Sequence, residues 1–338
     1  MIITNARIFD GTRFIKQNSV EINKGQIKRV FSTRKADPGA LDAGGRMLAP
    51  GLIDIHTHGM KGIDTLGIRN TRQAEELKRI YYRCGTTSFL AATMFKKGDE
   101  RRLKVLSRSF DGVYLEGPLI NPEKKGAIPL KYIWGAKSLK YYRGSAVVTV
   151  APEMKGAVSL IKKLHKAGII ASLGHTSADY AQVKAGIKAG IRNVTHMYNA
   201  MEKTGEKALG QIKAALENSK VMIELISDGI HVEPGLLRMF YKLFGPDRII
   251  LITDSIGKMK LYGKGRLVKN IPMIEMARRM KKFTRSSTGE ILKMCTHNPA
   301  KLLKMKKGNI KRGYGADFII TDNKLKLYNV IKAGDVVR

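Results

Sequence analysis

Acidic side chains are in short supply in this chain. Only 28 Asp and Glu stand against 62 Lys and Arg over 338 residues, a formal net charge of +34 at pH 7. Cysteine is nearly missing too: Cys84 and Cys295 lie far apart, which excludes a disulfide framework and points to packed free thiols in a reducing compartment. No uncharged apolar run approaches the roughly 18 residues of a membrane-spanning helix. The first residues, Met1-Ile2-Ile3-Thr4-Asn5-Ala6-Arg7, lack the basic-then-apolar order of a secretory signal, so a cytoplasmic protein is expected. Low-complexity tracts and short fixed-period repeats are absent, which excludes a disordered chain or a solenoid. The basic residues come without an RNA-binding aromatic signature or zinc-finger spacing, which weighs against nucleic acid as the main partner. The surplus charge then reads as steering of an anionic substrate or as a basic surface with no specific partner.

What is present is a large core. The apolar fraction is 43%, with ten Phe and twelve Tyr. Both ends read as short strands, at 2–9, 19–22 and 26–31 and again at 318–321 and 327–331, separated by turn signals such as Asp10-Gly11 and Lys24-Gly25. We expect 1–48 and 306–338 to pair into one small β domain. Between them, eight apolar runs alternate with helical periodicity. The runs lie at 51–55, 88–91, 112–115, 146–150, 169–173, 192–195, 222–226 and 249–252. Helices are expected at 71–84, 155–167, 178–189 and 235–244, with basic helical patterns at 96–108 and 278–285. The alternation predicts an α/β fold, a (β/α)8 TIM-type barrel over 49–305; a doubly wound sheet would share the pattern.

Polar residues separate these two. The predicted strand ends carry His56 and His58, Glu116, His175, His196, Asp228 with His231, and Asp254. Five of the seven histidines therefore fall just past a strand, while His165 lies inside an expected helix and His297 just after one. Chemistry gathers at the C-terminal strand ends of a barrel, and imidazole with carboxylate suits a divalent cation. His56 and His58, two apart on a strand, point to the same side. Glu116 would be costly to bury without a cation or another partner; helix capping is the bland alternative. Asp254 reads as a metal ligand, a general base or both, against a plain N-cap role.

Several of these residues sit in longer motifs. These include Pro50-Gly51-Leu52-Ile53-Asp54-Ile55-His56-Thr57-His58-Gly59, Leu115-Glu116-Gly117-Pro118 with the 121–127 stretch, and Gly174-His175-Thr176. Thr195-His196-Met197-Tyr198-Asn199-Ala200-Met201, Asp228-Gly229-Ile230-His231-Val232 and Thr253-Asp254 follow, with Asn298-Pro299-Ala300 near the end. In this order they resemble the N-acetylglucosamine-6-phosphate deacetylase family of the amidohydrolase superfamily, over nearly the whole chain. The resemblance implies a barrel with a small β-sandwich built from both termini. It also implies Glu116, His175 and His196 as ligands of a main divalent metal, zinc or iron. The intact His56/His58 pair leaves room for a second ion bridged by Glu116. Asp254 would be the general base, with His231 stabilising the intermediate and holding the sugar. Ala127, Asn199, Ala200, Lys207, Asp228 and His231 match substrate-binding positions, and a homodimer is implied.

Three positions depart from the family pattern. Ile128 stands where the family usually has histidine. The family's phosphate-binding arginine, in an Arg-Glu-Pro-Gly pattern, is replaced by a stretch in which Lys203 or Lys207 would serve, without arginine's planar fork. Leu267-Val268-Lys269-Asn270 replaces a Leu-Ala-Gly-Ser loop. Two other readings stay open: an amidohydrolase acting on another N-acyl compound such as N-acetylgalactosamine 6-phosphate, and a catalytically weak barrel that binds anions or nucleic acid.

Overall fold

Eight parallel strands form the centre of the molecule: β1 (Leu52–Thr57), β2 (Thr86–Thr93), β3 (Val113–Glu116), β4 (Val147–Val150), β5 (Ile170–Leu173), β6 (Ile191–Val194), β7 (Met222–Ile226) and β8 (Ile249–Ile252). Each pairs in parallel with the next in chain order. The structure, a computed structural model, describes every residue except 34–37, 258–259, 263–265 and 269, and gives backbone only for 260–262 and 266–268. Lys269 of the divergent loop therefore lies outside the described residues.

The sheet closes on itself just beyond β8. The Asp254 amide donates to the His56 carbonyl at 2.9 Å, and the His58 amide donates to the Ser255 carbonyl at 2.7 Å. This closure settles barrel over open sheet, and all eight expected strands are present.

Helices pack outside by burying one stripe. Thr71–Arg83 buries Ala74, Leu77 and Tyr81, spaced three and four residues apart, and Asn70 caps it by accepting from the Gln73 amide. Ala157–Lys166 begins after Gly156, whose φ of 87° ends the preceding loop, two residues later than the pattern predicted. The crossover from β3 to β4 has no α-helix among the described residues. It runs through short 3-10 turns at Pro122–Lys124, Leu130–Tyr132 and Leu139–Tyr142, carrying residues 121–128 across the barrel mouth.

The expected strand at 2–9 is two strands. Asn5 has φ 51° and breaks the extended run, so Ile2–Thr4 joins a four-stranded sheet while Arg7–Ile8 joins a five-stranded one. The second sheet also holds Met47–Pro50, Phe318–Thr321, Leu327–Lys332 and Asp335–Val336. Ile3, Ile8, Val20, Leu48 and Phe318 belong to an apolar cluster separate from that of the barrel. An ion network ties the C-terminal segment to the barrel: Lys307 Nζ donates to Ser88 Oγ at 2.8 Å and Asp111 Oδ1 at 2.6 Å, and Lys332 Nζ donates to Asp317 Oδ2 at 2.8 Å. Cys84 and Cys295 are both free. No described helix is long and apolar enough to cross a membrane.

Candidate active site

The barrel interior is polar beneath the site. Tyr114 Oη, Ser172 Oγ and Thr195 Oγ1 share hydrogen bonds of 2.6–3.3 Å. Above them the strand ends converge on one carboxylate. Glu116 Oε1 lies 3.0 Å from His175 Nε2, 3.1 Å from His196 Nε2 and 3.4 Å from His56 Nε2, while Oε2 lies 3.1 Å from His58 Nε2. Asp254 Oδ1 is 3.5 Å from His56 Nε2 and 3.4 Å from His58 Nε2. All six residues named as metal ligands from sequence thus meet at one point.

Local backbone geometry aims these side chains. His175, His196 and Asp254 each sit at a strand end with positive φ, of 48°, 28° and 46°, which turns the chain inward. Gly174 is required by space: a Cβ there would lie 2.7 Å from Thr195 Cβ and 2.9 Å from Thr149 Cγ2. Behind the loops, Glu153 gathers three partners. It accepts from Asn121 Nδ2 at 3.1 Å, Thr176 Oγ1 at 2.6 Å and the Ser177 amide at 2.7 Å, joining the loops that follow β3, β4 and β5.

The cluster fits a cation. His175 Nδ1 donates to the Lys124 carbonyl at 2.8 Å, so Nε2 is the ring nitrogen that faces Glu116. A ring nitrogen and a carboxylate oxygen at that separation hold together only around a proton or a metal ion. His56 Nε2 and His196 Nδ1 are buried without a hydrogen-bond partner. His56, His58 and Asp254, and again His56, Glu116 and His196, offer ligand atoms within 4.8 Å of one another. Burial disfavours charge on His56 and His58. The carboxylates of Glu116 and Asp254 outweigh this, with Glu224 adding to them at His56, and raise both rings above the ordinary histidine value. Burial likewise opposes charge on Glu116, but the surrounding imidazoles of His175, His196, His56 and His58 hold its carboxyl well below the usual carboxylate range.

A cavity of about 640 Å³ opens on this cluster. It is lined by His58, Glu116, His175, His196 and Asp254, and by Ala127, Asn199, Ala200 and His231 among the expected substrate-binding residues. Asp228 stands behind His231, its Oδ2 2.7 Å from Nδ1. Lys207 is not part of the lining; it is exposed near the start of the helix Gly205–Leu216. Arg69, unnoticed in the sequence, does line the cavity, with Nη1 donating to the Leu66 carbonyl at 2.7 Å.

An amidohydrolase family model matches residues 47–337. The N-acetylglucosamine-6-phosphate deacetylase of Bacillus subtilis (strain 168) is 32% identical over 392 residues, covering 99% of this chain and 96% of its own. The chain belongs to the N-acetylglucosamine-6-phosphate deacetylase family of amidohydrolases. The family's enzyme from Lysinibacillus sphaericus is 30% identical, covering 99% of this chain and 97% of its own. The crystal structure of the Mycobacterium smegmatis deacetylase superposes with a TM-score of 0.89 at 26% identity, covering 100% of both chains.

Sequence reading of this deacetylase-family chain missed Glu224. It lies fully buried in β7, its Oε2 3.2 Å from His56 Nδ1 and its Oε1 accepting from Asn193 Nδ2 at 2.6 Å. The signal was present: a carboxylate at the centre of Met222-Ile223-Glu224-Leu225-Ile226 has no place in a buried strand without a polar partner.

Proposed function

We propose that the chain hydrolyses N-acetylglucosamine 6-phosphate to glucosamine 6-phosphate and acetate. The convergence of four histidines on Glu116, with Asp254 within 3.5 Å of two of them, carries this reading. Glu116, His175 and His196 would hold one divalent ion, zinc or iron, and His56 and His58 would take part in holding a second. Such an ion, when bound, lowers the pKa of a water toward about 7 and polarises the amide carbonyl.

The protein's own groups do the rest. Asp254, at the mouth of β8, takes the proton of the attacking water and returns it to the departing amine. Its backbone is fixed by the closing bond to the His56 carbonyl. Asp228 holds the Nδ1 side of His231, so the ring presents its other edge to the cavity as a donor for the developing oxyanion and a sugar hydroxyl. Burial disfavours charge on His231, but the adjacent Asp228 raises its pKa above the ordinary value and so favours the protonated ring, which can donate from both nitrogens. Asn199 and the Ala200 backbone form the phosphate end. Lys203, whose charge acts on His231, supplies positive charge near it rather than a direct fork, while Lys207 lies outside the cavity lining.

We also assign 1–48 and 306–338 to a small β-sandwich domain and 49–305 to the barrel, and place the protein in the cytoplasm as a homodimer. The separate apolar cluster made by the two ends supports the first assignment. The experiment for the activity is metal analysis joined to acetate release over a panel of acetylated sugars, with N-acetylgalactosamine 6-phosphate and unphosphorylated sugars included. Stoichiometric metal and fastest release from N-acetylglucosamine 6-phosphate are expected. Metal-loaded protein that releases no acetate from it would sink the reading.

A further inference from the structure

The cavity wall is chemically divided. On the side of β5, β6 and β7 it presents His175, Asn199, the Ala200 backbone and His231. On the side of β8, β1, β2 and β3, beyond His58, Glu116 and Asp254 of the cluster, it presents the apolar side chains of Ile256, Leu66, Met94 and Ile128, with Asp64 and Arg69 beside them. Because the strands follow one another around the barrel in chain order, these two sets occupy opposite arcs of the mouth with the Glu116 cluster between them. The apolar arc is built rather than incidental. Leu66 and Met94 pack against Ile128, which is only 3% exposed and belongs to a small cluster with Ile120 and Tyr132. Asp64 and Arg69 line the same side but are engaged with local backbone: Asp64 Oδ1 accepts from the Leu66 amide at 2.9 Å, and the exposed Arg69 directs its guanidinium to the carbonyls of Leu66 and Ile68.

An amide held over the cluster has two ends. Resting on the reading above, the phosphorylated sugar extends along the polar arc, so the acyl group extends along the apolar one. We infer that the Leu66–Met94–Ile128 wall is an acyl-chain subsite, and that the enzyme accepts N-acyl amino-sugar phosphates with chains longer than acetyl. The reaction is unchanged: the oxygen of water bonds to the acyl carbon, the C–N bond breaks, the amine takes up the proton, and a short fatty acid leaves. An apolar wall rewards each added methylene, whereas a small closed pocket for a methyl group rejects it by about tenfold or more.

The test uses the metal-loaded enzyme with N-acetyl-, N-propionyl- and N-butyrylglucosamine 6-phosphate, following release of the free amine. The expected result is a kcat/KM for the butyryl compound within about threefold of the acetyl one, or above it. In Ile128→Ser the butyryl-to-acetyl ratio should fall about tenfold. Hydrolysis of the acetyl compound with a tenfold or larger drop at each added carbon would overturn the subsite and leave the deacetylase reading standing. Equal loss on both substrates in Ile128→Ser would also overturn it. Silence on all three substrates would overturn both. The wild-type series needs no variant, so a misfolded Ile128→Ser protein does not protect the idea.

Discussion

His56 on β1 and Glu224 on β7, the two strands flanking β8, form a buried pair, Nδ1 to Oε2 at 3.2 Å, with neither side chain exposed to solvent. They are 168 residues apart in sequence. The contact turns the other ring nitrogen of His56 toward Glu116 and Asp254. A carboxylate behind a ligand histidine fixes its tautomer and raises its basicity.

Glu224→Gln should therefore weaken metal binding by about 10- to 100-fold while leaving the ring in place. Titration of the apo-protein with zinc under a competing chelator measures this. Unchanged affinity would reduce Glu224 to a packing role.

Asp254→Asn keeps the shape of the side chain but removes the carboxylate proposed as the base. We expect kcat to fall by about 10²- to 10⁴-fold with bound metal retained. Paired metal analysis and acetate assays separate loss of the base from loss of the site, and near-wild-type turnover would remove Asp254 from the role.

The Asp228–His231 pair gives a pH-dependent prediction. Burial opposes charge on both groups, but their hydrogen bond raises the His231 pKa and lowers that of Asp228. The raised histidine contributes stability below its unfolded value, near 6.5, and that share is lost as pH rises through the folded pKa. The lowered aspartate contributes above its own unfolded value, near 3.9, and that share is lost on acidification. Asp228→Asn should cost about 1–3 kcal/mol near pH 5–6 and less above pH 9, read by denaturant unfolding at both pH values. A deficit of equal size at each pH would count against the pair.

Lys307 anchors the C-terminal segment to the base of the barrel through Asp111 and Ser88. Burial works against its charge, but Asp111 and Asp317 raise its pKa, so its contribution persists through neutral pH and is lost only as the solution becomes strongly alkaline. Lys307→Met should lower stability by about 1–3 kcal/mol at pH 7–8, as Asp111 loses its cation. Thermal unfolding checks it, with acetate release per folded molecule expected to stay unchanged.

The convergent cluster was readable because it obeys local rules. Apolar runs of four or five residues mark strands whatever they pack against, and the residue just past each run lies at the barrel mouth. His56, His58, Glu116, His175, His196 and Asp254 could be found by position alone. The break at Asn5 was harder, since only its backbone conformation, not the apolar pattern around it, divides the two strands. Lys207 shows the same limit: its sequence position lies close to Asn199, yet the helix beginning at Gly205 carries it to the surface.

Composition and periodicity by themselves determined that strands and helices alternate, that the thiols stay free, and which polar groups stand at strand ends. These are properties of residues and their near neighbours. Only the closed barrel decided that Glu224 meets His56, that Glu153 joins three loops, and that Leu66, Met94 and Ile128 form one wall. Those relationships depend on strand register and ring closure, which bring together side chains that no local periodicity relates.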